Sequence, residues 1–235
     1  NTDSIIREMI KNRNDVRYFV QKHNKGVSGN FTDSFKDAQG KYVAILDGDD
    51  YWVDKNKLQK QLDLLESHPE YAACFTDTLV KNEADGSLTE TGALKSKHKR
   101  NISLGNLSDG GFWIPTSTFI YRNDVLQKPL PKIYQNVHIM VDVFLFNLII
   151  QNGTLAYLDE VTAVYRKHNA GEWSGLDQIK KFDFRIHDMS LMATHFKDDE
   201  ILGARFKKGK SSQKKQKQNF KIKQLKGILR KIIGK

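Results

Sequence analysis

A short apolar run that ends in three carboxylates dominates the first part of the chain. It reads Tyr42-Val43-Ala44-Ile45-Leu46-Asp47-Gly48-Asp49-Asp50-Tyr51-Trp52. The first five residues, apolar and partly β-branched, predict a buried strand, and the glycine permits a tight turn directly after it. Three carboxylates around one turn repel one another unless a cation lies between them. Such hard oxygen ligands suit Mg²⁺ or Mn²⁺, whereas the plainer interpretation is an acidic surface turn after a core strand.

The positive charge of the chain is concentrated at its C-terminal end. The 235 residues have a net charge of +10, but 12 of the 38 basic residues and none of the 28 acidic residues lie from Lys207 onward. The part before this tail is therefore slightly acidic. A basic tail is typical of segments that bind anionic lipid or nucleic acid, and a plain solvated tail is the alternative. The single cysteine, Cys74, excludes an internal disulfide.

The chain before the tail predicts an alternation of helices and strands. The expected helices are 4–11, 31–39, 55–67, 141–151 and 177–195, and the expected strands are 16–20, 42–46, 71–75, 78–81, 116–122, 154–158 and 161–166. The order up to residue 75 predicts a parallel, helix-covered sheet, to which the later strands add mixed pairing. Residues 82–109 are polar and predict a long loop or insertion near the site.

Further polar residues follow other predicted strands or begin helices. The polar loop 22–30 contains two glycines, which let backbone N–H groups approach a phosphate or a base. Asp142 begins an apolar helix, and His168 follows a strand. Because ligands bind at the carboxyl ends of strands in open α/β sheets, these points could converge with the three carboxylates.

Together these motifs resemble the inverting family 2 glycosyltransferases with a GT-A fold. The resemblance runs from Asn1 to about Ser174. It rests on Asn24-x-Gly26-x-x-x-Asn30, Gly40-Lys41-Tyr42, Leu46-Asp47-Gly48-Asp49-Asp50-Tyr51-Trp52, Lys57-Leu58-x-x-Gln61 and Tyr165-Arg166-x-His168. The ordered set is far more specific than any one motif. It implies a Rossmann-like mixed sheet flanked by helices, of the kind found in nucleotide-diphospho-sugar transferases.

The resemblance also implies a role for several residues. Asp47 and Asp49 look like the DXD metal motif, with Asp49 as the main ligand of Mn²⁺ or Mg²⁺ and Asp47 facing the nucleotide ribose or a metal-bound water. His168 matches a histidine that reaches the metal or the diphosphate. Asp142 falls where the family has its catalytic base, although the usual Glu-Asp or Gly-Asp pair is Val141-Asp142 here.

Three further assignments complete the implied site. Asn24, Gly26 and Asn30 are expected at the nucleotide-sugar donor, and Gly110 and Gly111 resemble a glycine loop beside the acceptor. Trp173 is expected on the acceptor side, where an indole ring can stack on a sugar face, but core packing explains Trp113 and Trp173 equally well. From the residues alone, Asp142 could simply be a carboxylate favoured by a helix N-terminus, and His168 a surface histidine.

The division of the chain combines the resemblance with the charge pattern of the tail. Residues 1–200 are expected to form the catalytic domain, and residues 201–235 a basic amphipathic tail. The first residues of the chain match the segment that comes after the second strand in the family, so the first strand, first helix and second strand are expected to be missing. The tail has apolar residues at three- and four-residue steps from Phe220 to Ile233, the pattern of an interfacial membrane helix.

The resulting hypothesis is a metal-dependent inverting sugar transferase in surface polysaccharide synthesis. It would move a sugar from a nucleotide-sugar, expected to be a UDP-sugar, to a hydroxyl of a glycan or lipid-linked acceptor. The expected location is cytoplasmic, peripheral on the inner face of the cell membrane, through the tail. Nucleic acid is the weaker alternative as a partner of the tail, because the tail has one aromatic residue for base stacking. The alternatives are a non-catalytic membrane-associated module with the same fold and, with less support, a sugar nucleotidyltransferase.

Overall fold

The structure is a computed structural model that describes residues 2–90, 101–109, 114–169, 171 and 173–233. The helices are α1 (Thr2–Ile10), α2 (Gly26–Asp37), α3 (Lys57–Ser67), α4 (Val141–Ile150), α5 (Gln178–His195) and α6 (Glu200–Ile233). The strands are β1 (Tyr42–Ala44), β2 (Tyr51–Trp52), β3 (Tyr71–Asn82), β4 (Leu88–Glu90), β5 (Ile120–Arg122) and β6 (Thr154–Lys167). Short 3₁₀ turns connect several of them.

The six strands form one mixed sheet in the order β1-β5-β3-β6-β2, with β4 paired to β3. The long central pair β3–β6 is parallel, and the other pairs among the described strands are antiparallel. The mixed sheet with flanking helices is therefore confirmed. The predicted common direction of the first strands holds for β1 and β3, since each is antiparallel to β5, but these two strands do not pair because β5 lies between them.

The strand β1 is shorter and less buried than its apolar sequence predicts. It ends at Ala44, and Leu46 has 44% of its surface exposed. Within the described sheet β1 is an edge strand that pairs only with β5. Among the described residues, β1 is therefore not covered on both faces, although its apolar composition predicts a buried strand.

Several predicted boundaries differ from the structure because pairing is decided by tertiary contacts. Segment 16–20 is not a strand: it has no ladder partner among the described residues, and Phe19 and Val20 are exposed. The predicted strands 71–75 and 78–81 are one strand, β3. The predicted strands 154–158 and 161–166 are also one strand, β6, whose register against β3 shifts near Asp77.

The core is built around the central strands and α4, which is apolar on nearly all sides. Phe144, Leu145 and Ile149 on α4 are fully buried. The segment 82–109 contributes β4 and a 3₁₀ helix (Leu104–Asp109), and Ile102 forms a bridge with Leu155 of β6. Its first part is therefore a short hairpin and its last part enters the core, while residues 91–100 lie outside the described residues.

The basic tail is one helix, α6, which packs along α5. Leu202 and Phe206 in its first turns are buried in the core. Farther along, Lys217 pairs with Asp183 of α5, and the rings of Phe182 and Phe220 lie 6.0 Å apart. Beyond this contact, Ile222, Leu225 and Ile228 of α6 are exposed to solvent. No helix in the described ranges combines the length and the apolar character needed to cross a membrane.

Candidate functional site

A cleft of about 1500 Å³ opens where the strand ends meet the start of α2, the loop before α4 and the facing sides of α5 and α6. It brings together most of the residues that the sequence predicts for the site. The predicted residues among its lining are Asn24, Gly26, Asn30, Asp47, Asp49, Asp142 and Trp173. Gly110 and Gly111 lie outside the described residues, as does Trp113.

The carboxylates lie on a tight turn between β1 and β2. The backbone N–H of Asp50 donates to the carbonyl of Asp47 at 3.1 Å, and β2 is held in the sheet by pairing Tyr51 with Val164 of β6. A Cβ atom at Gly48 would meet no other atom within 4 Å. The protein itself therefore leaves open space at this glycine, which is room for a ligand.

His168 is held against Asp49. Its Nε2 atom lies 2.9 Å from the Oδ2 atom of Asp49, and both side chains are partly exposed. Asp50 has a different partner, since its Oδ1 atom accepts the backbone N–H of Arg166 at 3.0 Å. Asp50 thus ties the acidic turn to the end of β6, and Asp49 and His168 are left facing each other.

Asp47 is the carboxylate of the turn whose ionised form is most clearly disfavoured by its surroundings. Burial is the main cause that raises the pKa of Asp47 to about 6. The negative charges of Asp50, Asp49 and Asp142 raise this pKa further. A cation in this part of the cleft would reverse the effect, because it would favour the ionised carboxylate.

Asp142 occupies the first turn of α4 and lines the same cleft. Burial raises the pKa of Asp142 to about 6, although the backbone N–H of Val143 donates to its Oδ1 atom at 2.7 Å and lowers it. Its carboxylate is near enough to Asp47 to affect that group's pKa. A carboxylate with a pKa near 6 is mostly ionised at neutral pH and is a stronger base than an ordinary aspartate.

The predicted loop 22–30 is in part the start of a helix. The helix α2 begins at Gly26, five residues before the predicted start at Phe31, so residues 26–30 are helical. Gly26 has a φ of 67°, a conformation that side chains other than glycine rarely adopt, and its N–H donates to Oδ1 of Asn24 at 2.8 Å. The first turn of α2 therefore lies at the cleft, and the N–H groups at a helix N-terminus favour an anion.

The sequence analysis missed the basic wall of the cleft. Arg185 on α5 and Arg205 and Lys208 on α6 line it, opposite in charge to the acidic turn. Arg185 lies 4.4 Å above the indole ring of Trp173, and Lys181 lies 5.2 Å from it. The clustering of basic residues near the C-terminus was the available signal. This clustering predicts a basic tail but not its position. That α6 forms a wall of the cleft follows only from its packing along α5, which the sequence does not show.

Comparisons with known proteins agree with this geometry. The model of the family described as "Glycosyl transferase family 2" matches residues 1–128. An uncharacterized protein of Mycobacterium tuberculosis is 34% identical over 176 residues, which cover 74% of this chain and 49% of that protein. An uncharacterized glycosyltransferase of Nostoc sp. is 26% identical over 172 residues, or 72% of this chain and 53% of that protein. The chain thus spans about half the length of these relatives.

Solved structures show the same fold. The crystal structure of residues 1–349 of S. aureus TarS covers 82% of this chain and 52% of that chain, with a TM-score of 0.54 and 15% identity. The complex of the same TarS fragment with UDP has a TM-score of 0.55 at 15% identity and covers 82% of this chain and 53% of that chain. The fold is therefore of the GT-A type, and the match of the family model and of the relatives shows that this chain belongs to glycosyl transferase family 2.

Proposed function

We propose that this chain carries the donor site and the catalytic base of a metal-dependent inverting glycosyltransferase. The donor is a nucleotide-sugar, in the first instance a UDP-sugar, and the acceptor is a hydroxyl of a glycan or of a lipid-linked glycan in surface polysaccharide synthesis. The convergence of Asp47, Asp49 and Asp142 in one cleft, with His168 held against Asp49, carries the proposal, because these residues come from three distant parts of the sequence.

The donor atoms at the acidic turn fit Mn²⁺ or Mg²⁺. Asp49 offers carboxylate oxygens and His168 an imidazole nitrogen, and Asp47 lies beside them in a site that opposes its charge. Carboxylates suit both ions, and the imidazole favours Mn²⁺ of the two. A bound divalent ion would act as a Lewis acid that neutralises the charge of the departing diphosphate.

The residues at the start of α2 would hold the nucleotide part of the donor. Asn24 and Asn30 present amide groups to the cleft, and the helix N-terminus presents backbone N–H groups that suit a phosphate oxygen. A side chain at Gly26 would strain the backbone there. The crystal structure of TarS in complex with UDP supports this assignment of a nucleotide to the fold.

Asp142 would remove the proton of the acceptor hydroxyl. The hydroxyl oxygen attacks the anomeric carbon from the face opposite to the diphosphate, and the bond to the diphosphate breaks as the new glycosidic bond forms. This single displacement inverts the configuration. The raised pKa of Asp142 strengthens the base at the pH where it is still ionised. Trp173 and Arg185 on the opposite wall would orient the acceptor.

The end of α6 would place the enzyme on the cytoplasmic face of the cell membrane. Ile222, Leu225 and Ile228 are 43%, 61% and 55% exposed, and basic residues lie between them. An apolar stripe with basic flanks is the composition of a helix that lies in the interface of an anionic bilayer. Lipid-linked acceptors would be available there.

The test is donor turnover by the protein that contains this chain, with Mn²⁺ or Mg²⁺, against a panel of nucleotide-sugars. Release of the nucleoside diphosphate and the anomeric configuration of the product are measured together. We expect metal-dependent turnover of one donor and an inverted product. If the protein shows neither turnover nor metal-dependent binding of UDP, the non-catalytic alternative is favoured instead.

A further inference from the structure

A second group of metal-ligating side chains lies outside the acidic turn. His138, in the loop before α4, meets His187 and Asp188 of α5. Asp188 is fully buried, whereas both histidine side chains are more than 40% exposed, at 43% and 44%. The exposure of the histidines gives an ion in solution access to a buried carboxylate.

The three possible ligand atoms form a nearly equilateral triangle. Nδ1 of His138 lies 3.0 Å from Nδ1 of His187 and 3.3 Å from Oδ1 of Asp188, and the third side, from His187 to Asp188, is 3.2 Å. Zinc bonds of about 2.0–2.1 Å in a tetrahedron place neighbouring ligand atoms about 3.3–3.4 Å apart. The triangle therefore has nearly the size of one face of a tetrahedral zinc site.

The carboxylate of this triangle is held in place by the backbone. Oδ2 of Asp188 accepts the N–H groups of Ile139 and Met140 at 2.9 and 3.0 Å, and Oδ1 accepts the N–H of His138 at 2.9 Å. The ring of His138 stacks on Phe184 with centroids 4.6 Å apart and an angle of 8°. Two of the three ligands are thus oriented before any ion binds, which reduces the entropic cost of binding.

From this geometry we propose that His138, His187 and Asp188 bind one Zn²⁺ ion, with water completing the coordination. Two imidazoles and one carboxylate are ligands that zinc accepts in proteins, and imidazole nitrogens favour zinc over Mg²⁺. The ion would fasten α5 to the loop that leads into α4. Since Ile139 and Met140 line the cleft, the site would also fix the wall that carries Asp142. The proposal does not depend on sugar transfer.

The test measures zinc bound to the full chain by equilibrium dialysis and elemental analysis. Zinc could also bind to Asp49 and His168, so every protein carries Asp49→Ala. This background is compared with the same background plus His187→Ala, plus His138→Ala, or plus His68→Ala. His68 is a matched control, because its side chain is exposed to the same degree, at 44%, and lies next to an acidic residue.

We expect one equivalent of zinc in the background protein and in the His68→Ala variant, and loss of that equivalent in the other two. Zinc should also raise the melting temperature of the background protein but not that of the His187→Ala variant. Cobalt should give the intense visible bands of a tetrahedral site only where zinc binds. Far-UV circular dichroism verifies folding. Absence of zinc from the background protein, or its retention in a folded His187→Ala variant, would overturn the proposal.

Discussion

The Nε2 atom of His168 lies 2.9 Å from the Oδ2 atom of Asp49, although 119 positions separate the two residues. The antiparallel pair β2–β6 produces this contact. Tyr51 pairs with Val164, so the chain before β2 runs beside the chain after β6, and Asp50 bonds to the backbone of Arg166 on the way. The sheet register thus brings an imidazole and a carboxylate together at the place where the proposed metal would bind.

Substitution of His168 or Asp49 by alanine should reduce metal-dependent transfer by about 100-fold or more, which corresponds to about 2.7 kcal/mol in the transition state. Each change removes one proposed ligand and leaves the sheet intact, because both side chains are partly exposed. The measurements are turnover at saturating Mn²⁺ and the affinity for UDP with and without Mn²⁺. His68→Ala is the control histidine and should behave like the unaltered protein. Unchanged metal dependence in the His168→Ala variant would remove that residue from the proposed ligand set.

Asp142→Asn tests the proposed base. The amide keeps the size of the side chain but cannot accept the proton, so kcat should fall by about 10²–10⁴-fold while the affinity for UDP stays the same. Because the pKa of Asp142 is raised to about 6, the activity of the unaltered enzyme should fall as the pH drops below about 6. Asp47 titrates in the same range, so the pH profile alone does not identify the base.

The variant separates the two aspartates. Asparagine at position 142 does not titrate. If Asp142 is the base, the fall in activity below about pH 6 that comes from this residue should therefore be absent from the residual activity of the Asp142→Asn protein. Asp124→Asn, at an exposed position, is the control. A residual rate within about tenfold of the unaltered enzyme would contradict the role of Asp142 as general base.

Asp47→Asn should make the metal-free protein more stable at neutral pH. The folded state raises the pKa of Asp47 from 3.8 to about 6, so ionisation of this carboxyl costs stability. The sign is opposite to that of a salt-bridged aspartate: the cost is absent below about pH 4, grows between about pH 4 and 6, and is complete above that range. A shift of about two units corresponds to about 1–3 kcal/mol after allowance for partial exposure.

The measurement is thermal unfolding in EDTA at pH 7.5 and at pH 4. At about 2–4 °C per kcal/mol for a chain of this size, the Asp47→Asn protein should melt several degrees higher at pH 7.5, and the difference should shrink at pH 4. Asp63→Asn, an exposed position on α3, is the control. An equal or lower melting temperature of the Asp47→Asn protein at pH 7.5 would show that ionised Asp47 does not destabilise the metal-free protein.

The sequence predicts the local elements of this chain better than their pairing. The helices α4 and α5 lie within one residue of their predicted bounds, because apolar spacing is a local signal; in the structure Asp177 also caps α5 by accepting the backbone N–H of Lys180. Segment 16–20 has the composition of a strand but no described neighbour, and β5 enters the sheet between two strands that precede it in the sequence. Neither outcome can be predicted from the spacing of apolar residues within one segment, because both depend on contacts with distant parts of the chain.

The same distinction applies to the site. The family motifs, and not periodicity, indicated that Asp47, Asp49, Asp142 and His168 belong together. The positions of Arg205 and Lys208 depend on how a long helix returns along α5, which no motif records. The early start of α2 was missed because Gly26 and Gly29 are usually signs of a loop.

Trp173→Ala should weaken binding of the acceptor and leave the donor unaffected. Trp173 is 36% exposed at the cleft, and the guanidinium of Arg185 lies over its indole ring, so a sugar ring would contact the part of the indole that Arg185 leaves open. Loss of one stacking contact should raise the KM for the acceptor about tenfold at unchanged affinity for UDP. Trp173→Phe keeps an aromatic face and should restore most of the loss. An unchanged KM in the alanine variant would assign Trp173 to packing alone.

Replacing Ile222, Leu225 and Ile228 together by serine should strongly weaken membrane binding. These side chains are exposed on α6, and burial of three such groups in the bilayer interface contributes about 3–5 kcal/mol, so vesicle affinity should fall by about 100-fold or more. The measurement is co-sedimentation with anionic vesicles at low and high salt. The charge contribution from the basic residues should decline with salt in the unaltered protein.

Point substitutions test the membrane proposal better than removal of residues 207–235. Lys208, Ser212 and Gln213 line the cleft, so a deletion would disturb the proposed active site together with the membrane surface. The matched control replaces three exposed apolar residues at the other end of the chain, Ile5, Met9 and Val16, by serine. If the two triple variants bind vesicles equally, α6 is not the membrane surface, because the helix then contributes no more than any exposed apolar group.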